Sequence, residues 1–123
     1  MKLVKEYINE KFTDESDPIH DLGIGKRALI KKWFKSMGIN SRRYTIDDKF
    51  NISLRGNLDL YLNQTVTELP DNLTVEGYVD LRRTNIIELP DNLTVGSFLD
   101  IEMTKIKKLP KSLRVKSTIY RNF

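Results

Sequence analysis

Leucine-proline pairs recur at Leu69-Pro70, Leu89-Pro90 and Leu109-Pro110, and each opens a near-copy of one phrase. The copies read LPDNLTVEGYVDLRRTNIIE, LPDNLTVGSFLDIEMTKIKK and a basic half-copy, LPKSLRVKSTIYRNF. A unit of twenty residues cannot bury its own apolar row, so it must bury that row against its neighbours. This constrains the chain to a solenoid, in which stacked coils share one continuous core. Solenoids mostly display surfaces, which directs the functional reading to binding. The repeat does not name the partner.

The register follows from alignment of the copies. Leu58-Asp59-Leu60, Val79-Asp80-Leu81 and Leu99-Asp100-Ile101 superpose, and Ile119-Tyr120-Arg121 takes their place in the last copy. The spacings are 21, 20 and 20, so the first copy holds one extra residue between Asn63 and Thr65. Side chains alternate between the two faces of a strand, so the aliphatic pairs point inward. Leu73, Val75, Ile86 and Leu89 complete one layer, and Leu93, Val95, Ile106 and Leu109 the next. The outward rows are Tyr78, Asp80, Arg82 and Phe98, Asp100, Glu102, with Asp59 and Tyr120 extending the aspartate column at its ends. These eight side chains are the expected partner-binding surface.

Residues ahead of the repeats read as its cap, because an array cannot leave its first apolar layer wet. Lys2 to Phe12 has the spacing of a short amphipathic helix, with Leu3, Val4, Tyr7 and Ile8 on one face. Asp17-Pro18 resembles an N-cap with proline at the first helical position, and Gly23 and Gly25 read as breaks. Lys26 to Met37 is expected to form a second helix with Leu29, Ile30, Trp33, Phe34 and Met37 on its apolar face and Gly38 at C′. Tyr44-Thr45-Ile46 and Phe50 to Leu54 alternate as two short strands around an Asp47-Asp48-Lys49 turn. Residues 1–55 are thus assigned to a helical and hairpin cap and 56–123 to the array, as one continuous structural domain.

Composition excludes several function classes. The chain has 123 residues and no cysteine, which rules out disulfides and thiolate metal sites. The opening MKLVKEYINEKF lacks the apolar core of a signal peptide, and no apolar run approaches membrane-helix length, so the expected location is the cytoplasm. His20, the one histidine, stands among Asp14, Glu15, Asp17 and Asp21, yet the spacing misses the calcium-loop pattern. Capping and loop hydrogen bonds account for that cluster. Gly23-Ile24-Gly25-Lys26 lacks the preceding strand of a phosphate loop. No serine or cysteine nucleophile is recognisable, and the chain is read as no enzyme, with no cofactor and no metal.

Charge is segregated behind the net +4. From Gly56 to Glu102 nine acids face only Arg82 and Arg83, whereas after Glu102 there are seven bases and no acid. Stacked carboxylates about 4.8 Å apart repel unless compensated, and Arg82 and Arg83 are the nearby candidates. A cation or a basic partner surface lying on the Asp59, Asp80, Asp100 ladder is the alternative. The basic faces, Lys26 to Lys35 and Lys105 to Arg121, raise a nucleic-acid reading, weakened by sparse aromatic interleaving. After Ile119 no helix follows to cover Leu113 and Val115, which opens the option of a homodimer through that uncapped end.

The phrase LP-x-x-L-x-V-x-x-x-L-D-L-x-x-T-x-I-x-x-LP resembles the short leucine-rich repeats of bacterial and bacteriophage proteins. Thr84 and Thr104, with Asn63, stand where that family places a polar residue that satisfies backbone groups at the bend. KFTDESDPIHDLGIG and MGINSRRYTIDDKFNISLRGNLDL are similar to the leaders of phage-encoded repeat proteins. The resemblance implies an α+β fold: a short leucine-rich-repeat-like β-solenoid of about three repeats behind a helical and hairpin N-terminal cap. It implies a non-enzymatic protein-binding module, phage-encoded, that engages a host protein, in one form a defence-related one to be inhibited. A self-associating virion or assembly component and a nucleic-acid binder are the rivals.

Overall fold

The computed structural model describes residues 24–123. The expected helix at Lys2 to Phe12, the Asp17-Pro18 cap and the His20 cluster lie outside them. The described residues divide between Ser41 and Arg42 into two compact units.

The first unit holds helix α1, Ile24–Ser36. It begins earlier than the glycine pair suggests, because Gly25 enters its first turn instead of breaking the chain. Ile30, Trp33 and Phe34 are buried at helical spacing, and the two rings meet edge to face at 5.0 Å. Leu29, expected on that face, is 40% exposed. At the other end Gly38 adopts φ 74°. Its N–H donates to Lys35 O and that of Ile39 to Phe34 O, the paired bonds of a Schellman stop. The left-handed residue must be glycine to avoid Cβ strain, as the sequence implies.

The second unit, Arg42–Phe123, is the solenoid. Its strands are β1 Tyr44–Ile46, β2 Ile52–Leu54, β3 Leu58–Asp59, β4 Leu73–Val75, β5 Val79–Asp80, β6 Thr94–Val95, β7 Leu99–Asp100, β8 Arg114–Val115 and β9 Ile119–Tyr120. Each repeat contributes two strands, not one. They sort into sheet A, in the order β1-β2-β4-β6-β8, and sheet B, in the order β3-β5-β7-β9. Among the described residues only the β1–β2 hairpin is antiparallel; every later pairing is parallel and joins neighbouring coils. The hairpin is therefore the first rung of sheet A, on which β4 stacks. Its second strand starts at Ile52 because Phe50 turns at φ 65°, outside strand geometry.

The inward register follows the alternation. Leu73, Val75, Val79, Leu81 and Ile86 of one coil are fully buried, as are Leu93, Val95, Leu99 and Ile101 of the next. Leu69 and Leu89 are buried and Leu109 half-buried. The rungs pair Leu58 with Val79, Val79 with Leu99, and Leu99 with Ile119, so the spacings read from sequence are the spatial ones. The extra residue of the first copy is absorbed by an additional turn at Gln64–Thr65, where Asn63 Oδ1 accepts the Thr65 N–H at 3.0 Å and Val66 regains its inward place.

Polar residues at the corners satisfy the backbone that the short strands leave unpaired. Asn72 and Asn92 both take left-handed φ, at 61° and 58°, and the Asn92 side-chain amide donates to Asn72 Oδ1 at 2.8 Å. Asn tolerates this conformation better than most residues. At the opposite corner Leu62, Arg83 and Met103 stack with φ 67°, 61° and 59°. Such residues carry a strain of about 1–2 kcal/mol each, tolerated because the surrounding coil leaves no other path. Thr84 and Thr104 close this corner: their hydroxyls donate to Leu81 O at 2.8 Å and Ile101 O at 2.6 Å.

Candidate functional site

The outer face of sheet B is built from three columns. Asn57, Tyr78, Phe98 and Thr118 form the first; Asp59, Asp80, Asp100 and Tyr120 the second; Tyr61, Arg82, Glu102 and Asn122 the third. The rung pairs Asp59 with Asp80, Asp80 with Asp100 and Asp100 with Tyr120 establish the alignment. Alternation forces every second residue of these segments outward, so chemistry that recurs in the sequence becomes a ladder in space.

The aspartate column has a local task. The Oδ1 atoms of Asp59, Asp80 and Asp100 accept the backbone N–H of Tyr61, Arg82 and Glu102, each at 3.1 Å. These Asx turns end each strand and start the corner. They explain a carboxylate at this position in three successive copies.

Stacked carboxylates also need positive charge, and Arg82 supplies it. Its Nε donates to Asp80 Oδ1 at 3.0 Å and its second terminal nitrogen to Asp80 Oδ2 at 2.8 Å, a bidentate pair. The same Nε lies 3.5 Å from Asp100 Oδ2. The guanidinium also sits 4.7 Å from the centre of the Tyr61 ring. Hydrogen bonding to Asp80, with the charges of Asp80 and Asp100 behind it, raises the Arg82 pKa further above its high ordinary value, against a smaller opposing effect of desolvation. Of the two arginines named from sequence, Arg82 compensates the ladder.

The arrangement alters one expectation. Asp80 stands in the outward row, yet its neighbours cover it and leave 6% of it accessible. It anchors the face from beneath, whereas Asp59 is exposed and Asp100 and Glu102 are half-buried.

Beside the acids runs an aromatic ledge. Tyr78 and Phe98 stack with centroids 4.7 Å apart and planes 7° from parallel, and Tyr120 meets Phe98 edge-on at 5.7 Å. The Tyr78 hydroxyl points at Asp59 Oδ2 at 3.4 Å. Desolvation, with the negative charge of Asp59 beside it, holds the Tyr78 phenol above its usual pKa.

All eight side chains expected from sequence line one groove of about 500 Å³: Asp59, Tyr78, Asp80, Arg82, Phe98, Asp100, Glu102 and Tyr120. Tyr61 was missed, although it occupies the same place after its aspartate as Arg82 and Glu102 do, so the repeat alignment held that signal. The continuation of the hairpin into a second sheet through β4, β6 and β8 was missed too. Leu-Thr-Val alternates correctly for a strand between Pro-Asp-Asn and glycine, but three residues are a weak signal. Its outer face carries Thr45, Ser53, Thr74 and Thr94 in register.

Among the described residues, no group of three or more histidine or acidic side chains is arranged to hold a metal ion. None of their helices is long and apolar enough to cross a membrane. No protein-family model, no curated protein and no solved structure matches this chain, so its function is argued from the residues of this face.

Proposed function

We propose that this chain is a non-enzymatic protein-binding module that engages its partner through the outer face of sheet B. The observation that carries the reading is the convergence of three aromatic rings, four carboxylates and one arginine on a single groove. Aromatic and arginine side chains dominate interface energies, and they do so where they are held rigid before the partner arrives. Here they are held: the rings brace one another, and the Arg82 fork is fixed by Asp80. The resemblance to phage-type repeats supports a host or virion protein of the bacterial cytoplasm as the target, including a defence protein inhibited by occlusion.

The seven cations beyond Glu102 are all exposed, which favours nucleic acid as the second reading. One experiment separates the two. The parent and an Asp59→Lys/Glu102→Lys/Tyr120→Ala variant, all at accessible positions, are used to capture partners from bacterial lysate at low and high salt. A protein held by the parent at high salt and lost with the variant supports the proposal. Capture of the same protein by both overturns it. Nucleic acid that leaves with salt moves function to the basic coil, because phosphate contacts weaken steeply with ionic strength.

A further inference from the structure

We propose that the group anchoring the partner in this groove is a guanidinium: an arginine side chain that inserts beside Phe98 and Tyr120 and pairs with Asp100 and Glu102. The inference rests on the reading of sheet B as the interface and specifies the chemistry it recognises.

The face already seats one guanidinium, and it shows how. Arg82 lies against a tyrosine ring, forks onto the aspartate of its own rung and reaches the aspartate of the next. One rung on, the strand aspartate recurs and its surroundings change. Asp100 replaces Asp80, Glu102 takes the place of Arg82, and Tyr120, its ring 45% exposed, stands where the next aspartate of the column would be. A site that is internally neutralised in the second coil is therefore left acidic in the third. Asp100 retains acceptor capacity, since its oxygens engage only the Glu102 N–H at 3.1 Å and Arg82 at 3.5 Å among the described contacts, and a carboxylate offers about four lone-pair positions.

Arginine suits this geometry better than lysine. Its planar fork matches a carboxylate bidentately, and its flat face lies on an aromatic ring, whereas an ammonium does neither. Long-range attraction does not explain the preference, because the chain carries a net charge of +4 and repels a cationic peptide until it meets this face.

The probe is hexa-arginine amide, followed through the backbone amide signals of isotope-labelled protein, with hexa-citrulline amide as the neutral isostere. The expected result is a saturable shift confined to Phe98, Asp100, Glu102, Tyr120 and their neighbours, absent with citrulline. Glu102→Gln and Asp100→Asn should each weaken it about tenfold or more, while Lys107→Ala leaves it unchanged or stronger. The Asp100→Asn variant keeps an oxygen for the Glu102 N–H, so the corner survives. No shift, an equal response to citrulline, or shifts centred elsewhere overturns the inference. The lysate partner then separates it from the reading beneath. A protein lost with Tyr120→Ala but retained by both amide variants leaves the interface standing and removes the guanidinium. Retention by all three removes both.

Discussion

Replacing Gly96 with alanine puts the coil stacking to a direct test, because sequence and structure make opposite claims about that position. In the column that begins at Arg55, the next residues are Glu76, Gly96 and Lys116, so side chains are tolerated on three of four rungs. Gly96 does not occupy the left-handed region, and an alanine there would ordinarily add about 0.4–1 kcal/mol by restricting the unfolded chain. In space, however, its Cβ would stand 2.0 Å from Glu76 O and 2.9 Å from Glu76 C. These are backbone atoms of the next rung and cannot swing aside. Relief requires the rungs to part by about 1 Å, enough to break the Gly96 N–H bond to Val75 O at 2.9 Å and the Ser97 N–H bond to Gly77 O at 3.1 Å. Two bonds at about 0.5–1.5 kcal/mol each, with the packing lost beneath Val75 and Val95, outweigh the alanine gain. The expected net loss is about 2–4 kcal/mol, a fall in melting temperature on the order of 10–25 °C for a unit of this size. Urea unfolding followed by circular dichroism should show a lower midpoint with the slope unchanged. Lys116→Ala, in the same column but exposed, should stay within about 0.5 kcal/mol of the parent. A Gly96→Ala midpoint equal to or above that of the parent would falsify the pairing of Val75 with Val95.

Other substitutions probe the core, a corner and a turn. Leu81 is fully buried, so Leu81→Ala should cost about 2–5 kcal/mol in urea unfolding, and a parental midpoint would mean that the inward register is wrong. Thr84→Val keeps the shape but deletes the buried hydroxyl bond to Leu81 O, and about 1 kcal/mol should be lost; no loss would remove the corner's dependence on that bond. Asp47 accepts the Asn51 backbone N–H at 2.9 Å, its side-chain amide at 3.1 Å and the Lys49 N–H at 2.8 Å, and these bonds, those of Asn51 foremost, hold its carboxyl below the usual range. A folded-state pKa below the unfolded value of about 3.9 means that the contribution is present above that pH and disappears as acidification passes through the folded value. Asp47→Asn should therefore lose less stability than the parent between about pH 5 and pH 2, and parallel acid limbs would contradict the turn geometry.

The legible part of this fold is the part that repeats. Identical phrases must take identical conformations when stacked, so the pairing of Asp80 with Asp100 and the burial of Leu81 and Ile101 follow from alignment and a period of two. The eight side chains lining the groove follow for the same reason, since a column in the alignment is a column in space. Gly38 was legible because only glycine relieves the left-handed stop it occupies.

What the residues alone could not decide depends on distances between rungs and on which neighbour covers which atom. Gly25 sits inside α1 although it reads as a break, because one glycine's intrinsic cost is small beside tertiary burial. The repeat strands of sheet A, β4, β6 and β8, escaped notice because two or three residues carry almost no periodic signal, yet they gain their stability from partners about twenty residues away. Asp80 looks in sequence like Asp59 and Asp100, and only the fold of Arg82 over it separates a buried anchor from an exposed and a half-buried carboxylate. Local pattern determined the coil and its faces, since both are properties of a short period. Exposure, pairing of charges and the closeness of Gly96 to its neighbour were decided by the stack, because each is set by atoms that meet only after the chain has turned once around.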